Sequence, residues 1–331
     1  MMLNVFGSDA FHFTKLVAAI NLIPHQPTRL GQMGLFRPEG IDTLTVAIEM
    51  ENNVLTLVPT ASRGAPGVVK GLERRNLRDF RTVHLPQRVS VMADEVANLR
   101  AFGSETEEEL AMGRLNKKMA VARRDLDITH EFQRMGALKG IVYDADGTTV
   151  IYNFGTEFGV TPGTANIALS NTATKVLQEV IANKGTIEDV LGGVAYQGMH
   201  ALCSKEFFAA LTSHPAVTET YKYQMGQVLR QDRRYTGFEF GGVFWEEYRG
   251  TVGAQRFVAA NKALLFPTGV PDMFMSYFSP APYMETVNTV GLPFYMKAKN
   301  MDYDTGVEWQ VQSNPLHINT RPNAVVELTA T

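Results

Sequence analysis

Glu105-Thr-Glu-Glu-Glu-Leu-Ala-Met-Gly-Arg-Leu-Asn-Lys-Lys-Met-Ala-Val-Ala-Arg-Arg-Asp-Leu-Asp-Ile-Thr-His-Glu-Phe-Gln-Arg-Met-Gly-Ala-Leu138 is the stretch whose reading decides the fold. It holds no proline, and Leu115, Met119, Ala122, Leu126, Thr129 and Phe132 recur every three or four positions, which places them on one face of a helix. A helix of roughly 30 residues is about 45 Å long at 1.5 Å per residue. Glu105, Glu107, Glu108 and Glu109 suit the positive end of its dipole, Ser104 or Thr106 can cap it, and Gly136 and Gly140 bracket its end. Arg114, Lys117, Lys118, Arg123 and Arg124 follow, so charge is segregated along the rod.

On the N-terminal side, Phe11 to Leu22 reads as one amphipathic helix stopped by Pro24, followed by irregular sequence through Pro38. Leu44, Val46, Ile48 and Met50 alternate with polar or small residues, and Asn52-Asn53 turns into Val54-Leu-Thr-Leu-Val58, a hairpin or a pair of strands. The excursion beyond carries Lys70, Arg74, Arg75, Arg78, Arg81 and Arg88 against Glu73 and Asp79, too polar and basic to bury in its own domain. On the C-terminal side, Ile141-Val-Tyr143 and Val150-Ile-Tyr152 flank Asp144-Ala-Asp-Gly147 as a hairpin. Helices are expected near 171–184 and 205–212. Val307, Trp309 and Val311 then alternate with Glu308, Gln310 and Gln312, and Ala324 to Leu328 closes the chain as a strand. The class is α+β.

Composition narrows the function. With 331 residues, 45% hydrophobic and 20% charged, the chain is long enough for about two domains and is ordered. A net charge of -3 excludes a bulk basic surface, so any basic function is local. Cys203 is the single cysteine, which excludes an intramolecular disulfide and a thiolate metal cluster. No basic leader with a long apolar run and no 18-residue apolar stretch is present, so neither a signal peptide nor a membrane span is expected.

The familiar catalytic spacings fail one by one. His130-Glu131 meets Arg134 where a zincin needs its second His, and Gly64 to Lys70 has Val69 and Gly71 where a phosphate loop needs Gly and Ser or Thr. Elbow-serine, Ser-x-x-Lys and dinucleotide patterns are absent as well. Cys203 with His200 could be a nucleophile and base, but one thiol beside Leu202, Phe207 and Phe208 reads as a small buried hydrophobe. Asp125, Asp127 and Glu131 could be acid/base carboxylates, yet Arg123 and Arg134 at helical spacing make an ion-paired, solvated face the better reading. The seven histidines are scattered and read as polar or cap positions. The basic stretch 70–88 has three readings: nucleic-acid contact, a solvated face, or a loop docking on an acidic neighbour such as Glu105 to Glu109. Phe80 is its one aromatic, which weakens single-strand stacking and favours protein contact.

Four groups of residues together carry a resemblance: Leu22-Ile-Pro24 with Gly34-Leu-Phe36; Leu57-Val-Pro59 with Arg63-Gly64; Asp127-Ile-Thr-His-Glu131 with Arg134 and Gly136-Ala-Leu-Lys-Gly140; and Gln312-Ser-Asn-Pro-Leu316 with Arg321-Pro322. Asn288-Thr-Val-Gly291 adds to them. In this order they resemble the major capsid proteins of lambda-like tailed bacteriophages, the phage major capsid protein E family. The resemblance implies the Hong Kong 97-type shell fold: an N-terminal arm at 1–42, an extended loop at 43–90, a peripheral domain at 91–154 and 285–331 with a spine helix at about 105–138, and an axial domain at 155–284. It also implies that the hairpin at 140–154 and the strands from 287 onward complete the peripheral sheet.

By the same resemblance the chain assembles with itself into pentamers and hexamers of an icosahedral shell around double-stranded DNA, bound without sequence specificity. A separate scaffolding protein, a portal and a decoration protein are the implied partners, with assembly in the host cytoplasm and residence in the virion. No enzymatic activity, cofactor, metal or membrane is implied. Arg63, Arg74, Arg75, Arg78 and Arg81 of the loop, with Glu107, Glu108 and Glu109 across a subunit boundary, are the expected inter-subunit contacts. The rivals are an encapsulin-like compartment, a soluble hydrolase hidden in 155–284, and a nucleic-acid-binding protein using the basic loop.

Overall fold

The computed structural model describes residues 13–22, 28–50, 76–92, 95, 107–224, 237–253 and 255–331. Contacts divide the chain into two compact units, Met1–Val46 with Phe80–Gln133 and Met275–His317, and Ala47–Asp79 with Arg134–Phe274 and Ile318–Thr331.

The first unit is a helix packed on a sheet. The long helix runs Glu107–Lys139, 33 residues, as its uninterrupted periodicity predicts. Its Leu115, Met119, Ala122 and Leu126 are buried against Val91, Met296, Val307, Trp309 and Val311. Those residues come from a three-stranded antiparallel sheet in the order Tyr295–Asn300, Gly306–Ser313, Leu85–Met92. Along Gly306–Ser313 the predicted alternation holds, with Val307, Trp309 and Val311 buried and Glu308 and Gln310 half-buried, until it stops at Gln312 and Ser313, which are both buried. Each Leu or Met side chain taken out of water here contributes roughly 1.5–3 kcal/mol. Helix Phe13–Leu22 joins the same core through Leu16 and Ile20. Asn21 Nδ2 fixes its last turn by donating to the Val17 carbonyl at 2.8 Å and the Phe294 carbonyl at 3.0 Å. A short helix, Arg29–Met33, ends on Gly34 at φ 59°, and strand Arg37–Gly40 then pairs in parallel with Phe274–Phe278, Arg37 opposite Met275.

The second unit is built on a mixed six-stranded sheet in the order Gly163–Asn166, Val326–Thr329, Lys262–Thr268, Gly198–Cys203, Val243–Glu247, Phe238–Phe240. Helices Val176–Leu191, Lys205–Ser213 and Pro215–Gln224 belong to it, close to the two helices read from sequence. Ser204 caps the second by accepting a hydrogen bond from the Phe207 amide. Lys262–Thr268 is apolar and buried along almost its whole length, as a central strand flanked on both edges must be. Phe207 stacks on Trp245, and both are fully buried.

Two expectations are corrected. The hairpin Ile141–Tyr143 with Val150–Asn153 forms as read, turning at Gly147 with φ 69°, but it is a two-stranded sheet of its own. The third strand beside Gly306–Ser313 is Leu85–Met92, which the sequence reading left in the extended loop; Leu85, Val89 and Val91 pack toward the helix on alternate positions. The closing strand Val326–Thr329 does not pair with the strands from 287 onward. It lies between Gly163–Asn166 and Lys262–Thr268, so residues 318–331 group with 134–274. The sequence distance between paired strands hid this, since alternation shows that a strand exists and not which edge receives it.

Candidate assembly site

The face of the long helix that sequence reads as solvated is buried. Arg123, Asp127, His130 and Glu131 all lie inside the first unit, while Thr129 and Phe132, expected in the apolar stripe, are only half-buried. The i,i+4 pair of Arg123 with Asp127 is present, the Nε donating to both carboxylate oxygens at 3.2 Å. Its Nη1 also donates to the Ile20 carbonyl at 3.0 Å, and the guanidinium stands 3.5 Å over the centre of the Phe294 ring. Burial pulls the Arg123 pKa below the usual guanidinium range, opposed by Asp127. Glu131 accepts backbone hydrogen bonds from the amides of Leu30 at 2.7 Å and Gly31 at 3.3 Å. Bonds of this kind, with one charged partner, are shorter and about twice as strong as neutral ones. One helix face therefore fastens the N-terminal segment at two places, the end of helix Phe13–Leu22 and the start of helix Arg29–Met33.

His130 and the Gln312-Ser-Asn-Pro-Leu316 run complete the joint. Ser313 Oγ donates to the Pro293 carbonyl at 2.6 Å. Having spent its one hydrogen there, the hydroxyl can only accept from His130 Nε2 at 3.0 Å, so the imidazole carries its proton on Nε2. The His130 ring stacks on Phe294 at 5.2 Å between centroids and meets His317 edge-on at 5.3 Å. His317 Nδ1 in turn lies 2.6 Å from Ser276 Oγ. Asn314 bridges in the same way, with its Oδ1 2.7 Å from His84 Nδ1 and its Nδ2 donating to the Pro280 carbonyl at 3.3 Å. The stretches that carry the resemblance, 127–131 and 312–316, thus meet each other in space. Periodicity alone missed them because a buried polar pair has the spacing of an exposed one.

This network is buried and joins segments distant in sequence, suited to holding them in register. The remaining candidates behave likewise. Cys203 is fully buried, and burial pushes its thiol well above the usual range, which leaves no thiolate to attack a substrate. His200 faces Glu246 at 3.3 Å, between the rings of Phe244 and Phe266. Among the described residues no group of three or more His, Cys, Asp or Glu could hold a metal ion, and no helix is long and apolar enough to cross a membrane.

Of the expected inter-subunit residues, Arg63, Arg74 and Arg75 lie outside the described residues. Arg78 and Arg81 are exposed on strand Asn76–Arg81, and Arg78 Nη1 is 3.8 Å from Glu157 of its own chain. Glu107, Glu108 and Glu109 open the long helix, where its dipole favours acids. Sequence reasoning passed over Met284, Val287 and Val290, whose apolar side chains stand in solvent.

In fold, the chain is similar to the capsid protein of Ralstonia phage GP4, with a TM-score of 0.50 at 10% identity, covering 90% of this chain and 87% of that chain. It belongs to the phage major capsid protein E family, whose model matches residues 12–330. It is similar to the major capsid protein of Pseudomonas phage KPP10, at 32% identity over 86% of this chain and 87% of the relative. It is also similar to the major capsid protein of Salmonella phage Felix O1, at 25% identity over 99% of each. The protein is a major capsid protein of a tailed phage and a structural component of the virion.

Proposed function

We propose that copies of this chain close into an icosahedral head of pentamers and hexamers in the Hong Kong 97-type arrangement, assembled in the host cytoplasm around a separate scaffolding protein and then filled with double-stranded DNA through a portal. The family match across 12–330 carries this reading. In it, residues 1–42 act as the arm and 43–84 as the extended loop, Leu85–Met92 with the long helix and 275–317 form the peripheral domain, and 140–274 with 318–331 form the axial domain. The Arg123 and Glu131 contacts support it physically, because a projecting arm transmits interface energy to the shell only if its root is rigid.

The subunit acts as geometry and interface energy, with no catalytic step. Contacts between unlike surfaces close into rings when the rotation between copies is a whole fraction of a turn. Copies in a ring stabilise one another by mass action, so the shell is concentration-dependent. With Cys203 buried and no other thiol in the sequence, the shell's strength does not come from a disulfide network. A net charge of -3 fits a wall that holds DNA without sequence recognition. Negative-stain electron microscopy of the chain produced together with its scaffolding protein tests the reading: closed particles or rings are expected, and a folded monomer at every concentration would overturn it. Particles from infected cells that held a protein cargo and no DNA would instead favour an encapsulin-like compartment.

A further inference from the structure

The segment between strands Phe274–Phe278 and Tyr295–Asn300 combines two properties that rarely coexist. It is rigidly held, and it displays apolar side chains. Thr286 donates its hydroxyl to the Ala281 carbonyl at 2.5 Å, Thr289 donates to the Thr286 carbonyl at 2.8 Å, and the Gly291 amide donates to the Ile41 carbonyl at 2.8 Å. The Leu292 amide donates to the Tyr295 hydroxyl at 2.7 Å. At Gly291 a Cβ would fall 1.9 Å from the Phe278 carbonyl oxygen, so the backbone there is pressed onto the strand in a way only glycine permits. Yet Met284 is 88% exposed, Val287 61%, Val290 64% and Leu292 43%. An anchored segment loses little freedom on docking, which is the condition for apolar contact area to become affinity.

The chemistry of the face selects its partner. Glu285 is the one ionised side chain between 279 and 293, and Lys297 Nζ neutralises it at 2.7 Å, so the face has no surplus charge with which to meet phosphate. The four exposed side chains of this one short segment together offer roughly 400 Å² of apolar surface, an area of the size found at interaction sites. That is about half of the ~800 Å² that each partner of a stable pair buries. Such a face cannot hold a free dimer, but it contributes where several contacts form at once, as they do for a subunit surrounded by copies of itself. We propose that the face carried by Met284, Val287, Val290 and Leu292 is covered by a second copy of this chain in the assembled shell. The proposal rests on the shell reading and names one of its contacts.

Two measurements test it. First, Val287→Asp with Val290→Asp is purified beside the unaltered chain, and closed particles are counted while circular dichroism reports folding. A folded variant with at least about tenfold fewer particles is expected, because two buried charges per contact oppose association. A folded variant with the parental yield and salt tolerance overturns the proposal. Second, and independent of whether that variant folds, the unaltered protein is exposed to dilute peroxide as intact particles and as the unassembled fraction, and Met284 sulfoxide is measured by peptide mass spectrometry. Met284 should oxidise several-fold more slowly in particles, and equal rates overturn the proposal. If the unaltered chain yields no particles even when produced with its scaffolding protein, the shell reading itself fails and this proposal falls with it. Normal parental particles with an unaffected variant would remove the proposal alone.

Discussion

In the six-stranded sheet of the second unit, Ala201, Trp245, Leu265 and Phe266 fill the interior, a depth at which the long helix of the first unit instead carries Arg123, Asp127, His130 and Glu131. Both sets of side chains are buried, but they fail differently. An apolar core depends on volume and tolerates shape-conserving exchange at a cost below about 1.5 kcal/mol. A buried polar joint depends on each donor meeting its acceptor, and losing one partner strands the other. The joint lies where segments far apart in sequence must be fixed in register: Ile20, Leu30 and Ser313 meet side chains of one helix face, and Ser313 in turn holds the Pro293 carbonyl. The comparison teaches that the first unit concentrates polar contacts between distant segments on one helix face, while in the second unit buried polar groups such as His200 and Glu246 sit among a mainly apolar sheet core.

The sharpest way to break the comparison is Arg123→Met set beside Leu265→Met. Removing the guanidinium leaves Asp127 and the Ile20 carbonyl buried without it, a loss of about 3–5 kcal/mol. Leu265→Met should cost less than about 1.5 kcal/mol. The double exchange Arg123→Met with Asp127→Leu should recover most of the loss, since no buried charge of the pair remains. Urea unfolding monitored by circular dichroism reads all three. Equal midpoints for the two single variants would mean that the joint is no more exacting than the apolar core.

A smaller effect is expected from Glu131→Gln, which keeps the shape but removes the charge on the acceptor of two backbone amides. Hydrogen bonds to charged groups contribute about 1.5–3 kcal/mol, so part of that range is lost. The consequence should be local, because these amides root the short helix Arg29–Met33. Hydrogen exchange at Leu30 and Gly31 should accelerate while exchange across Lys262–Thr268 stays unchanged. Uniform acceleration in both units would show that Glu131 supports the whole chain and not the N-terminal segment.

Much of the fold was legible because local patterns enforce it. The run to Leu138 could only be a helix, Val307, Trp309 and Val311 could only share a sheet face, and Asp144-Ala-Asp-Gly147 had to turn. What could not be read was pairing at long range. Leu85–Met92 has the alternation of any strand, and nothing in it names Gly306–Ser313 as its neighbour. The joint was half legible: the i,i+4 spacing gave the Arg123–Asp127 pair, but spacing is blind to burial, and the decisive partners, Ile20, Leu30 and Ser313, lie about 100 residues or more away. The runs 127–131 and 312–316 pointed to the family before their contact with each other was known. That contact gives a physical reason for their appearing together.

The smallest effect on the chain, and the most informative about assembly, is expected from reversing the loop charges. Arg78 is exposed and 3.8 Å from Glu157, an ion pair worth at most about 1 kcal/mol within the subunit. If the loop arginines served only their own chain, Arg75→Glu with Arg78→Glu would change almost nothing. If they meet Glu107, Glu108 and Glu109 of a neighbouring copy, the reversal places like charges at every such contact of the shell, and small repulsions multiply with the number of contacts. The thermal midpoint of the unassembled subunit should therefore move by no more than a few degrees, while particle yield falls most at low salt and recovers in part as added salt screens the repulsion. Particles of parental yield and salt tolerance would assign the loop charges to solvent, and leave the apolar face at 284–292 as the better place to look for the contact.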